Sequence, residues 1–428
     1  MNHLLFKVFP LVVKADQNVK TITIQASGHS CTGKRILDKT HQVRKIVMGG
    51  PVDPAAPEWR QPEALLPFDR LENGDLEVRL TCPAEDEYML ALEDENGTEV
   101  QRFSIYALKE DLFNLRPYKG DFHIHSCNSD GKETASYVAA SCRKIGFDFM
   151  ALTDHCRYEP SLEAMEAMKK MDTDMLCCPG EEVHLPGNEV HIINFGGSFS
   201  VNQFVRDNEE LYRKEVAERD DMPKDLPTVT RFQVAASEWT FDKIREGNGI
   251  AMFCHPYWRP GHNYIGEDVV DLLHERNRFD VLEVFGGFYR YQVESNMLAL
   301  SRYMEERSKG KKIPVAGISD AHGCDGDLFG WYYTIIFADE LKFESLATSI
   351  RNEQCVAVHW IPDEHPIIAG PFRLTRFAHF LLREFYPAHD DLCRVEGEIM
   401  CRNEENAAEL MKYRKGSVPA YFAQCWEK

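Results

Sequence analysis

Imidazoles and carboxylates recur in short motifs through the middle of this 428-residue chain. His123 and His125 form an H-x-H pair, followed by Asp130 in Ser129-Asp130-Gly131. Then come Thr153-Asp154-His155, Gly180-Glu181-Glu182, His191, His255-Pro256 and Ser319-Asp320-Ala321-His322. Such side chains are ligands for divalent zinc, manganese or iron. In an extended chain residues i and i+2 point the same way, so His123 and His125 can grip one ion together. Asp320 and His322 share that spacing. A lone histidine in a strand is more often packed or solvated than a ligand. H-x-H alone is a moderate signal, and T-D-H alone is weak. The set as a whole decides the reading, because an apolar setting would not gather so many ionisable groups without something to neutralise them.

The elements that must position these residues are short apolar runs alternating with helix-like segments. The runs are 122–124, 149–152, 175–178, 190–195, 250–254, 281–285 and 313–318. Between them, segments such as 134–145 and 161–171 carry apolar residues at helical spacing. Strand–helix alternation predicts a mainly parallel sheet or barrel, and seven runs approach the eight strands of a closed βα barrel. The motifs fall at or just after the C-terminal ends of the runs. In a βα barrel those ends share one mouth, where active sites sit.

The rest of the chain reads differently. Residues 1–115 alternate as short strands, with hairpin-turn dipeptides at Asn73-Gly74 and Asn96-Gly97 and a loop between Pro51 and Pro67 broken by five prolines. That predicts a β-sandwich-like domain. His29 and His41 in it read as surface or packed residues. Residues 116–338 form the barrel domain. Residues 339–428 read as a mainly helical C-terminal extension, with a helix at 341–351, a strand at 355–359 and helices at 372–385 and 406–413. This zone offers either a cap over the barrel or a contact between two copies in a homo-oligomer.

Composition excludes several classes. Forty-nine basic against 69 acidic residues give a net charge of −20. That balance argues against a general nucleic-acid coat or an anionic-membrane binder, though metal ions can reverse the field locally. No stretch approaches the ~20 apolar residues that span a bilayer. The apolar N-terminal stretch 4–13 is interrupted by Lys7 and Pro10, and reads as a first strand rather than a signal peptide. Thirteen cysteines, an odd number without repeating spacing, fit the reduced thiols of a cytoplasmic protein.

The ordered set H-x-H, S-D-G, T-D-H, G-x-E, a later His, H-P and S-D-A-H resembles the polymerase and histidinol phosphatase (PHP) family of metal-dependent phosphoesterases, in its S-D-G branch. The resemblance covers about 119–323, roughly half the chain. It implies a distorted seven-stranded βα (TIM-like) barrel with two to three divalent ions, in agreement with the count of seven runs. Carried over by motif, His123, His125 and Asp320 would hold a first ion. Glu182 would bridge the first and second, His191 and His255 would complete the second, and Asp130, His155 and His322 would hold a third. Glu181 adjoins the bridging position, and His184 falls where relatives more often carry a small hydroxyl residue.

The implied reaction is hydrolysis of a small or nucleotide-like phosphoester by a hydroxide held between two ions bridged by Glu182. Glu182, Asp320 and His184 are the expected catalytic residues. His184 and Asp154 are candidates for the leaving group's acid, and Asp154 also reads as a carboxylate that orients an imidazole. Arg157, Arg259 and Arg290 follow the second, fifth and sixth runs and could grip phosphate. A solvated surface role is the more ordinary one for each. Tyr257, Trp258 and His262 could stack a base or sugar ring, and Glu283 could bond a substrate hydroxyl. Long nucleic acid is expected to bind poorly to so acidic a chain. The alternatives are a nuclease for short oligonucleotides, a hydrolase of amides or esters using the same ions, and a metal-stabilised binding protein without turnover.

Overall fold

A computed structural model of the chain describes residues 5–27, 30–46, 65–219, 221–258, 265–402 and 406–428. The chain divides into two compact units. One comprises 1–115 with 379–391 and 416–428, and the other 116–378 with 392–415.

The first unit is built on two sheets. One is four-stranded and holds Phe6–Phe9, Asp16–Ala26, Leu76–Cys82 and Phe68–Arg70; the other is five-stranded and includes Val12–Lys14, Glu99–Leu108 and Asp86–Glu93. Leu76, Val78 and Ile24 of the first sheet share an apolar cluster with Val43, Leu92 and Phe103 of the second, so the alternating strands bury their inner faces against each other. Asn73-Gly74 and Asn96-Gly97 lie in turns between antiparallel strands, as their chemistry requires. The helix Cys31–Asp38 was not expected in this β region. Ser30 caps it by accepting a hydrogen bond from the Gly33 amide at 2.8 Å. His41 is exposed. His29 and the proline-rich stretch up to 64 lie outside the described residues.

The second unit is mixed α/β. Its strands form a six-stranded sheet and a five-stranded sheet, and a closed seven-stranded ring of ladders is not formed among the described residues. The reason lies at Arg116–Asp121. This strand pairs in parallel with Phe149–Ala151 on one side, but its other edge is taken by the antiparallel strand Tyr332–Ala338. Val315–Ile318 instead closes the edge of the second sheet beside Val281–Gly286. Ile192–Phe195 runs antiparallel to both its neighbours. The first sheet continues into Cys355–His359 and Ile367–Ala369, two strands within the zone read as mainly helical. Between Ile192–Phe195 and Ile250–Phe253 the chain inserts three helices, Val201–Asp207, Glu209–Glu218 and Thr228–Glu246, beyond the pattern read from the apolar runs.

Both sheets face one apolar core. Phe122, Phe149 and Cys178 from one side meet Ile193, Phe195, Met252 and Ala316 from the other, with the Phe122 and Phe195 rings stacked at 4.6 Å. No described helix is long and apolar enough to cross a membrane. All thirteen cysteines are free thiols.

Candidate metal centre

Past Asp121 the chain stays extended, and alternation sorts its side chains. Phe122 and Ile124 are buried in the apolar interior, while His123 and His125 turn together into a polar cluster. Two backbone bonds pin this segment to the S-D-A-H segment. The Asp320 amide donates to the His123 carbonyl at 2.9 Å, and the His125 amide donates to the Ala321 carbonyl at 3.0 Å. Asp320 thereby reaches both imidazoles, with Oδ1 3.1 Å from His123 Nε2 and 3.0 Å from His125 Nε2.

Glu181 and Glu182 lie on the strand Gly180–Val183, and adjacent strand residues face opposite ways. Glu182 enters the cluster. Its Oε2 is 3.3 Å from His123 Nε2, 3.4 Å from His125 Nε2 and 2.7 Å from His155 Nδ1. Its Oε1 is 2.8 Å from His191 Nδ1, 3.2 Å from His184 Nε2 and 3.4 Å from His255 Nε2. Glu181 faces away and accepts hydrogen bonds from the Val201 amide at 2.5 Å, Ser200 Oγ at 2.7 Å and Asn202 Nδ2 at 2.9 Å.

A third grouping is more open. Asp130 Oδ2 lies 3.4 Å from His155 Nε2 and 3.3 Å from His322 Nε2, and the Asp130 side chain is 55% exposed whereas those of His123, His125 and Glu182 are sealed. His322 is also tied to its own segment, its Nδ1 lying 2.8 Å from the Asp320 carbonyl oxygen.

Two ligand-type residues sit in strained backbone. His255 has φ +29° and Asp320 φ +49°, conformations that side-chain-bearing residues adopt only when the surroundings hold them. Gly287 passes so close that a Cβ there would lie 3.1 Å from Asp320 Cβ and Oδ2. Gly131 of the S-D-G motif has no room for a side chain either, since a Cβ would meet the His125 carbonyl oxygen at 2.6 Å.

The donor spacing suits metal ions. Ligand atoms about 2.1 Å from one tetrahedral ion lie about 3.4 Å from each other, and the distances above cluster near that value. His123 Nδ1 and Nε2, His125 Nδ1, His191 Nδ1 and Glu182 Oε2 are buried without a hydrogen-bond partner. Buried polar atoms are normally paired, so these orphans fit a site completed by cations. The same groups perturb one another. Burial disfavours charge on His123, yet Asp320 and Glu182 outweigh it and raise its pKa to about 9. His255 is raised to about 9 against the same burial by Glu182, Glu283 and Asp320. Burial lowers His191 to about 4. Glu182 is held well below the usual carboxylate range, because the histidines around it, His123 foremost, overcome the burial penalty.

Other anticipated residues are placed as follows. Asp154 does not orient an imidazole. It accepts from the Ser126 amide and Oγ at 2.9 and 2.7 Å and from Ser129 Oγ at 2.6 Å, bracing the loop that carries Asp130. Glu283 accepts from the His255 amide at 2.7 Å, so it holds the strained backbone of that residue. Arg157 is exposed on the loop after His155. Arg290 pairs with Glu364 at 2.5 Å and donates to the Pro362 carbonyl at 2.7 Å. Arg259 and His262 lie outside the described residues. Tyr257 is half-buried, and burial pushes its hydroxyl up to about 12.

Sequence reasoning missed Asp121. Its carboxylate accepts from the His123 amide and the Ser319 amide, each at 3.0 Å, and so joins the two ligand-bearing segments from beneath. Its place two residues before His123 was the available signal.

No family model matches the chain. A stretch of 64 residues, 15% of this chain, is 41% identical to the DNA polymerase/3'-5' exonuclease PolX of Bacillus subtilis; it spans about a tenth (11%) of that protein's length. Over 199 residues the chain is 24% identical to an uncharacterized protein of Methanocaldococcus jannaschii, covering 44% of this chain and 92% of that one. Among solved structures, a two-domain protein of Bacteroides vulgatus described as containing a predicted PHP-like metal-dependent phosphoesterase is similar over 61% of this chain and 69% of its own. The TM-score is 0.43 and the identity 18%. With the ordered ligand motifs, the buried cluster they form and the stretch shared with PolX, the chain has a PHP-like metal-dependent phosphoesterase fold.

Proposed function

We propose that this protein is a metal-dependent phosphoesterase acting on a small or nucleotide-like phosphoester. The observation that carries the proposal is the two-sided setting of Glu182, whose two oxygens each face three imidazole nitrogens within 3.4 Å. We read His123, His125 and Asp320 as holding a first zinc, manganese or iron ion and His191 and His255 a second, with Glu182 shared between them. Asp130, His155 and His322 would hold an outer third. When bound there, such ions would lower the pKa of water toward about 7 and offset charge growing on phosphoryl oxygens.

The chain's own groups do the rest. Asp121 and Glu283 fix the backbone of His123 and His255, which keeps the ligand atoms aimed. His184 Nε2, on the Oε1 side of Glu182, would pass a proton to a leaving group. Arg157, exposed on the loop after His155, would reach a second phosphate oxygen. We also read the two sheets as halves of a distorted seven-stranded barrel. They share one core, and single bridges between Ile124 and Ala321 and between His155 and Glu182 span the two seams.

The net charge of −20 favours small substrates, since affinity for long nucleic acid comes from basic side chains displacing counterions. The test has two parts. Protein purified without added metal should carry two to three divalent ions per chain and hydrolyse an aryl phosphate, with short phosphoesters turned over faster than amides. Metal-free protein, or metal-loaded protein that cleaves amides and no phosphoester, would overturn the reading. Salt-sensitive micromolar binding of a long single strand would promote the nuclease alternative.

A further inference from the structure

His255 opens a tight turn. The Trp258 amide donates back to the His255 carbonyl at 3.0 Å, with Pro256 in the second position, where its fixed φ suits such a turn. The turn folds Trp258 back onto the ligand side. The indole centroid is 5.6 Å from the His255 ring and 6.3 Å from the His191 ring, the two imidazoles expected on the second ion. Yet the indole stays 37% exposed. A large apolar ring half in water costs stability unless something covers it, and its position is set by a ligand residue's own backbone.

We propose that Trp258 is a specificity-determining platform that stacks a planar aromatic ring joined through a short linker to the phosphate of the substrate. This deepens the phosphoesterase reading and rests on it. The shared chemistry is a ring near a phosphoryl group, and two sources offer it. An aryl phosphate has the ring one oxygen from phosphorus, and a nucleoside monophosphate has it beyond a sugar. Stacking is tolerant of ring identity because every such ring has a π-face. A hydroxyl-rich alcohol such as glycerol gains nothing from the indole.

Equilibrium binding to the metal-loaded full chain tests this without relying on turnover. The probes are inorganic phosphate, glycerol phosphate, phenyl phosphate and adenosine monophosphate, each titrated calorimetrically against wild type, Trp258→Ala, Trp258→Tyr and the distant, exposed Tyr413→Ala. Wild type should bind at least one ring-bearing probe about tenfold or more tightly than glycerol phosphate. Trp258→Ala should abolish that ratio, while Trp258→Tyr and Tyr413→Ala keep most of it. Which ring-bearing probe shows the preference identifies the source. If phosphate binds but wild type shows no ring preference, or Trp258→Ala retains it, the platform is wrong while the phosphoesterase reading stands. If no phosphate probe binds the loaded protein, both fall together.

Discussion

Exchanging one oxygen for an amide nitrogen on either of two adjacent glutamates should give opposite results. Glu182 offers each oxygen to a different set of imidazoles, so Glu182→Gln removes a charge that two cation positions would share. A contact to a charged partner is worth about 1.5–3 kcal/mol. Two such contacts make about 3–6 kcal/mol, or roughly 10²–10⁴ in joint occupancy at about 1.4 kcal/mol per tenfold. Turnover should fall by at least that factor. Glu181→Gln leaves the cluster alone but sets an amide NH2 among donors from Val201, Ser200 and Asn202. One buried donor left facing another costs about 1–3 kcal/mol of stability. The readouts are metal content by mass spectrometry, aryl phosphate turnover and Tm. Glu182→Gln should lose metal and turnover. Glu181→Gln should keep its metal and most of its turnover while melting several degrees lower. Metal loss confined to Glu181→Gln would refute the assignment and the alternation argument behind it.

Three further outcomes can be checked. Metal uptake should strengthen as pH rises toward about 9, because His123 and His255, both raised to about 9, carry protons at pH 7 that cations must displace. At least about two protons should be released on loading at pH 7, measured by titration in buffers of different ionisation enthalpy, and zero release would contradict the ligand set. Asp154→Ala should cost the outer ion only, lowering bound metal by about one per chain, because it unties Ser126 and Ser129 beside Asp130. His274 sits fully buried against Phe253 and Phe279 with neither ring nitrogen hydrogen-bonded, and burial lowers it to about 4. Its folded pKa lies below the unfolded value of about 6.5, so the unfolded chain takes up the proton first and stability falls on acidification below about 6.5. That loss is at most ~2.5 kcal/mol at pH 4.5, and His274→Leu should remove it in urea unfolding compared at pH 7 and 4.5.

What could be read from sequence follows the range of the forces involved. Alternation is a property of the local backbone, so the pairing of His123 with His125 and the opposed faces of Glu181 and Glu182 are implicit in their spacing. The apolar runs from 149 onward likewise announce strands, because they bury side chains in one core, whereas the run 122–124 lies just past the end of the strand Arg116–Asp121. Sheet closure is different. Which strand takes the free edge of Arg116–Asp121 depends on the antiparallel return of Tyr332–Ala338, a contact more than two hundred residues away that no local pattern encodes. The three-helix insertion between Ile192–Phe195 and Ile250–Phe253 escaped because the apolar residues of a helix such as Thr228–Glu246, among them Val234, Phe241 and Ile244, are interspersed with polar ones and form no continuous run.

The carboxylates show the same division. Asp154 adjoins His155 and Asp121 lies two residues before His123, and by type either could orient an imidazole. Asp154 instead braces the Ser126–Ser129 loop, and Asp121 grips two backbone amides from separate segments. Both roles consist of satisfying N–H and O–H donors, whose identity is fixed only once separate segments meet. Asp121 and Glu283 are each fully enclosed and each pushed up to about 7 by burial, so neither is placed there at no cost to stability. A fold that keeps two such acids beneath its histidines is stabilising the aim of those histidines at some expense to the apo protein. That is the arrangement expected where bound cations return the difference, because affinity for the folded state alone adds to stability. Removing metal from the protein should therefore lower Tm far more than it does for a protein whose ions sit on surface carboxylates, and an unchanged Tm after chelation would show that the cluster is held together without them.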